Sequence, residues 1–346
     1  MSHNPEGRSP LESESGPVHD PIEIPTIPVT ATEITDVALV PAPVDDSGPE
    51  ADDAAEEALD ATSGSAQYRR LRLSPSLARY AGAFRTTKGR VGAIGLGTLL
   101  LLALVTPVLF PQGYDHQTND SLRGPSGAAW LGTDELGRDL FVRSLYGLGT
   151  DLSLVFLAVP LSMAVGTFIG LSAAFSERLG VFMQRVLDII IGFPTLILGI
   201  CIVLILGTGW LSLFLAIAIA GLPSAGRLAR GAWLEQQGRE YVLAARTLGV
   251  SRWQLLVRHV LPNAADPILV QGAVYMVQAV FIEAALSIVG LGIQPPSPSL
   301  GALLNTGIRY LQRTPTYVVG PMVLMILLAL SLSLVADALN QAVNKR

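Results

Sequence analysis

Cysteine is almost missing. The single one, Cys201, lies inside an uncharged apolar run, so an intrachain disulfide and a cysteine-based metal site are both excluded. The four histidines are scattered without ligand spacing. No G-x-x-x-x-G-K-[ST] occurs, so the chain has no phosphate-cradling loop and is not itself a P-loop ATPase. If ATP is involved, another subunit must bind it. Charge is also scarce, at 15% of residues, and several stretches of 20 or more have none. No apolar run follows Met1, so no signal peptide is expected.

What is present is hydrophobic: half of the 346 residues, with a mean hydropathy of +0.48. The acidic pI of 5.4 hides a segregation of charge. Residues 1–66 hold 15 of the 28 acidic residues, nine of the 23 prolines and one base, Arg8. Such a stretch cannot bury enough apolar surface to offset its ordering entropy, and a disordered cytoplasmic tail is expected there. The other 280 residues carry 22 Lys and Arg against 13 Asp and Glu. These bases flank long uncharged runs, the pattern of a membrane protein rather than of a nucleic-acid binder. Arg69, Arg70 and Arg72 open a basic segment over residues 67–90 suited to an anionic leaflet, just before the first span, which ends by residue 110.

A bilayer core of ~30 Å takes about 20 helical residues. Val91–Phe110 and Leu152–Phe175 each supply one uncharged span. Ile189–Gly226 is long enough for two, divided at Gly207-Thr208-Gly209, with Pro194 and Pro223 near the middle of each half. Pro267–Gly292, interrupted by Glu283, and Tyr317–Ala336 complete six. The fold class is therefore all-α: a polytopic six-helix bundle, with an extracytoplasmic loop over 111–150 and five spans over 151–346. With the N-terminus inside, the cytoplasmic segments from residue 67 hold 17 Lys and Arg and the outer loops five. That asymmetry places both termini in the cytosol of a plasma-membrane protein.

Three groups of residues could carry function. Between spans four and five, Glu240 to Thr247, a turn at Gly249, and a second helix capped by Ser251 and stopped by Pro262 form a loop over 239–263. Small Ala244 and Ala245 leave room for a partner, though the loop could equally lie on the membrane surface. Ahead of span two runs Leu131-Gly132-Thr133-Asp134-Glu135-Leu136-Gly137-Arg138-Asp139. Its acids suit helix-start chemistry, with Thr133 or Asp134 as cap, or contact with an external protein, more than metal binding. Within span five, Gln271, Tyr275 and Gln278 recur at i, i+4 and i+7, and Glu283 is an intramembrane carboxylate. Pathway lining and hydrogen bonding within the bundle both explain these four.

The loop resembles the EAA loop of binding-protein-dependent ABC importers, with Ala244, Ala245, Gly249, Leu261 and Pro262 at matching positions. Leu243 stands where the motif has Glu, and His259 where it has a hydrophobic residue; Glu240, a turn earlier, could supply the carboxylate. Gly132, Thr133, Asp134, Gly137, Arg138 and Asp139 fall in an element similar to one in C-type permease subunits of dipeptide and oligopeptide importers. Glu283-Ala284-Ala285-Leu286-Ser287, Gly290-Leu291-Gly292 and Gln294-Pro295-Pro296 extend that likeness over residues 75–346. It implies a second permease subunit, two cytoplasmic ATPase subunits that bind ATP and Mg, and an extracytoplasmic solute-binding protein. No covalent chemistry and no cofactor would belong to this chain, and the cargo would be peptides or another small solute such as a nickel complex. An ion-coupled secondary transporter would need paired intramembrane charges, and the span assignment offers only Glu283.

Overall fold

The computed structural model describes residue 80 and residues 82–344; the acidic stretch 1–66 and the bases up to Arg79 lie outside the described residues, as do Lys345 and Arg346. Among the described residues every regular element is helical, and the one β-bridge, Thr133 with Asp139, is isolated. Helix α1 spans Thr87–Leu109, with Thr86 Oγ1 accepting the Gly89 N–H at 3.1 Å. Helix α2 spans Leu140–Leu171 and runs into a 3₁₀ turn, Ser172–Ala174. Then come α3, Glu177–Gly192, α4, Thr195–Leu206, and α5, Trp210–Gln237. Two short helices follow, α6, Glu240–Thr247, and α7, Arg252–Leu255. A π turn over Leu256–Val260 leads into α8, Leu261–Ile288. Helix α9 is Leu300–Arg309 and α10 is Thr316–Asn344.

Five of these helices are long and apolar enough to cross a membrane, and a sixth crossing results if α3 and α4 count together. That pair is where the span assignment needs correction. The third crossing is not one helix from Ile189; α3 and α4 meet at a 96° bend. Proline disfavours helical geometry in the residue before it, and Phe193 is extended (φ −90°, ψ 135°), so Pro194 starts α4 instead of sitting mid-span. Pro223, by contrast, lies within continuous α5. Span two begins at Leu140 rather than Leu152. Asp151 ends the uncharged run, but it is buried inside the helix, and Asp139 caps the start. Gly207 and Gly209, both with positive φ, make the turn between α4 and α5.

In lipid, helices have no hydrophobic drive toward one another, and close backbone packing takes its place. The largest seam, α2 against α5, is built that way. A Cβ on Gly170 would lie 2.1 Å from the Gly226 carbonyl oxygen, and one on Gly166 2.6 Å from that of Leu222. Between α1 and α10 the same holds for Gly92, whose Cβ would stand 2.8 Å from Leu334 Cβ. Leu148, Leu154, Ile217, Ala279 and Leu328 fill the core around these seams. Leu104, Val108, Phe182 and Ile205 face outward, as a bilayer or a partner chain requires.

Candidate functional site

Glu240 opens α6, which ends after Thr247, and Leu248 beyond it is 83% exposed. Gly249 turns the chain with φ +76°, a conformation that penalises any Cβ. Nothing lies within 4 Å of where its Cβ would be, so the turn and not packing within this chain demands glycine. Ser251 caps α7, accepting the Gln254 N–H at 3.3 Å as its sequence position suggests. Pro262 does not stop the second helix. At the start of α8 it follows the π turn, whose wider turn accommodates the N–H that proline lacks.

This loop has two faces. Val242, Leu255, Leu256 and Val260 pack against Leu171 and Ala174 at the end of α2 and against Ala229 and Trp233 of α5. Arg252 Nη1 donates to the Phe175 carbonyl at 3.1 Å, and Trp253 stacks on the Phe175 ring at 5.9 Å between centroids. The other face leaves Leu248, Val257 and Leu261 exposed, Ala244 and Pro262 are exposed too, and the stacked Trp253 keeps one side open. The loop is therefore packed against the ends of α2 and α5, runs on into α8, and presents apolar side chains to whatever lies beyond. Sequence reasoning missed the Arg252–Phe175 clamp, because a hydrogen bond across 77 residues leaves no local pattern.

At the opposite end of α2, residues 110–139 fold around Asp134, which is fully buried. Its Oδ1 accepts the N–H groups of Leu136 and Arg138, both at 2.9 Å, and Oδ2 accepts Arg138 Nε at 2.6 Å. Arg138 also donates to Asp115 Oδ1 at 3.1 Å. Burial opposes its charge, but the bonds to Asp134 and Asp115 outweigh that and raise its pKa. Neither Thr133 nor Asp134 caps α2. Asp139 does, accepting from Phe141 N at 2.7 Å and Val142 N at 3.2 Å, while burial pushes its carboxyl up against those two donors. Thr133 Oγ1 instead accepts the Arg123 N–H and donates to the Asp120 carbonyl. Gly132 (φ +82°) and Gly137 (φ +73°) lie where a Cβ would strike the carbonyl oxygens of Arg123 and Thr118. The six motif residues thus make one knot, in which both Asp134 oxygens and Asp139 Oδ1 are occupied by N–H donors. Tyr317 ties it to α10 through a 2.7 Å bond to Glu135.

The polar positions of α8 do not act as one stripe. Tyr275 is buried and donates to the Ile217 carbonyl of α5 at 2.6 Å. Gln271 is half-buried, and Gln278 is exposed on the surface of this chain. Within this chain alone, Gln278 lies outside the packed interior. The packed face centres on Gly272, Tyr275 and Ala279, and a residue three positions after Tyr275 falls about 60° to one side. Glu283 is 1% exposed and accepts from Ser287 Oγ at 2.7 Å. It does not stand alone: Asp151 of α2, also 1% exposed, is close enough for the Glu283 charge to act on it. In the sequence, Asp151 falls between the 111–150 loop and the uncharged run that starts at Leu152.

Helices of membrane-crossing length, glycine-lined seams and a loop packed against them define a polytopic helical membrane protein. The chain belongs to the family of binding-protein-dependent transport system inner membrane components, which matches residues 166–346 and so includes the clamped loop. It is 35% identical over 259 residues to the dipeptide transport system permease protein DppC of Alkalihalophilus pseudofirmus, covering 74% of this chain and 85% of that one. The glutathione transport system permease protein GsiD of Pectobacterium atrosepticum is 34% identical, covering 73% of this chain and 86% of its own. The oligopeptide transport system permease protein OppC of Bacillus subtilis is 32% identical, covering 76% and 87%.

Proposed function

We propose that this chain forms one half of the translocation pathway of an ATP-driven peptide importer and receives the movement of a cytoplasmic ATPase through residues 240–262. The observation that carries the proposal is the two-faced loop: one side packed against α2 and α5 and continuous with α8, the other exposing apolar side chains around a glycine turn. A displaced ATPase subunit would push on that face and move three long helices together. ATP and Mg would be held by that partner, and a second permease subunit would complete the pathway. A solute-binding protein would deliver cargo to the 110–139 end. Both termini are assigned to the cytoplasm on the Lys and Arg asymmetry, 17 inside against five outside. The peptide class rests on the names of the dipeptide and oligopeptide relatives and on the Gly132–Asp139 element.

The test is purification of the complex through a tag on this chain, followed by reconstitution in liposomes with its solute-binding protein. Two ATPase subunits and one further permease should co-purify. Uptake of labelled dipeptides or longer peptides should require ATP, stop with vanadate and survive collapse of the proton gradient. Uptake that fails with the gradient, from a preparation lacking any ATPase, would overturn the proposal.

A further inference from the structure

Helix α9 begins where α2 and α8 come closest to it, and the contact has no room to spare. A Cβ on Gly147 of α2 would stand 3.0 Å from the carbonyl carbon of Ser299 and 3.1 Å from Leu300 N. A Cβ on Gly301 would stand 2.6 Å from Ser287 Cβ and 3.1 Å from Glu283 Oε2. Into this wedge project two carboxyl groups. Asp151 Oδ2 accepts the Leu300 N–H at 3.3 Å, and Glu283 Oε1 accepts Ser287 Oγ–H at 2.7 Å. The second oxygen of each, Asp151 Oδ1 and Glu283 Oε2, is buried with no hydrogen-bond partner. Ser299 Oγ caps α9 by accepting the Ala302 N–H at 3.1 Å, and its own O–H can still turn toward the Glu283 carboxyl.

No cation answers these carboxyls. Among the described residues neither forms an ion pair with Lys, Arg or His. Arg143, two turns along α2, donates to the Tyr114 and Pro296 carbonyls and lies beside Asp134. Arg309 is at the far end of α9, and the Tyr317 hydroxyl of α10 is bonded to Glu135. Helix α4 has only Cys201, which is exposed, and α5 has no ionisable side chain before Arg227. Two uncompensated negative charges buried against one helix start disfavour each other, and a proton retained on one of them relieves this. The positive end of the α9 dipole can favour one charge, and it cannot compensate two.

We propose that Asp151 and Glu283 form a proton-holding pair that seats the N-terminus of α9 between α2 and α8. One carboxyl stays ionised at the helix start. The other keeps its proton, and that O–H supplies a donor where the second oxygens, Asp151 Oδ1 and Glu283 Oε2, have none. The pair ties three helices at the 110–139 end through a group that the transport mechanism does not otherwise use. The proton here is a structural ligand rather than a transported or driving ion, so ATP-driven import does not depend on the inference.

Infrared spectroscopy of the purified complex at neutral pH tests it directly. A protonated-carboxyl C=O band should be present in the wild type and lost in Asp151→Asn or in Glu283→Gln, whichever replaces the protonated partner. The amide variant of the protonated partner should still assemble and take up peptide, because an amide has the shape of the protonated acid and carries an N–H donor. A spectrum in which neither substitution changes any protonated-carboxyl band would overturn the proposal, whatever the variants transport. Loss of uptake in both single amide variants, with assembly intact and that band absent from the wild type, would show instead that both charges are needed, as for a bound cation.

Discussion

At the scale of single residues, the 110–139 knot is decided by one buried carboxylate. Asp134 has no exposure, two backbone N–H donors and the Arg138 guanidinium. Removing one partner of a buried, hydrogen-bonded pair costs about 3–5 kcal/mol, because the other charge is left uncompensated. Asp134→Ala should therefore insert normally but lower the melting temperature of the complex and open the 110–139 loop to protease. Asp120→Ala is the control. Its 2.7 Å bridge to Arg123 is more than half exposed on both sides, and such pairs contribute about 0–1 kcal/mol. Equal effects from the two substitutions would contradict the assignment of Asp134 as the organising residue.

Helices are held together here by what is missing from their surfaces. Gly170 touches the backbone of α5 at Gly226, so a side chain there must force apart the seam that organises the bundle. Gly170→Val should abolish recovery of folded protein from detergent. Gly231→Ala, on an exposed part of α5 with nothing within 4 Å, should leave recovery unchanged or slightly improved. Recovery of Gly170→Val at the wild-type level would show that the α2–α5 seam tolerates separation. At this scale the sequence was readable wherever one physical quantity dominates. Runs of apolar residues gave α1, α5, α8 and α10, because burial in lipid depends on composition and length. The same criterion failed where charge and span coincide. Asp151 concealed the first three turns of α2, and Glu177, Arg178, Arg185 and Asp188 concealed α3. Helix α9 was not recognised as an element, since ten residues are too few for a crossing and its cap, Ser299, has no distinctive neighbours.

For the molecule as a whole, the loop over 240–262 was the most legible site and Asp151 the least. A turn glycine, a cap and a proline leave local marks. The partner of Glu283, by contrast, is found only by bringing residues 132 positions apart together. The central claim is that movement enters through this loop, and Gly249 isolates that claim from folding. Within this chain its Cβ position is open, so a side chain there meets only the left-handed backbone penalty, roughly 1–2 kcal/mol, and whatever partner docks. Comparing ATP-driven peptide uptake by Gly249→Ala and Gly249→Val, with the amount of ATPase subunit bound to each, is the most direct measurement. Both variants should insert at wild-type levels, since no spanning helix is touched. Alanine should keep measurable uptake. Valine should abolish it, either by releasing the ATPase or by leaving it bound but uncoupled. Wild-type uptake by Gly249→Val with the ATPase normally bound would contradict the account.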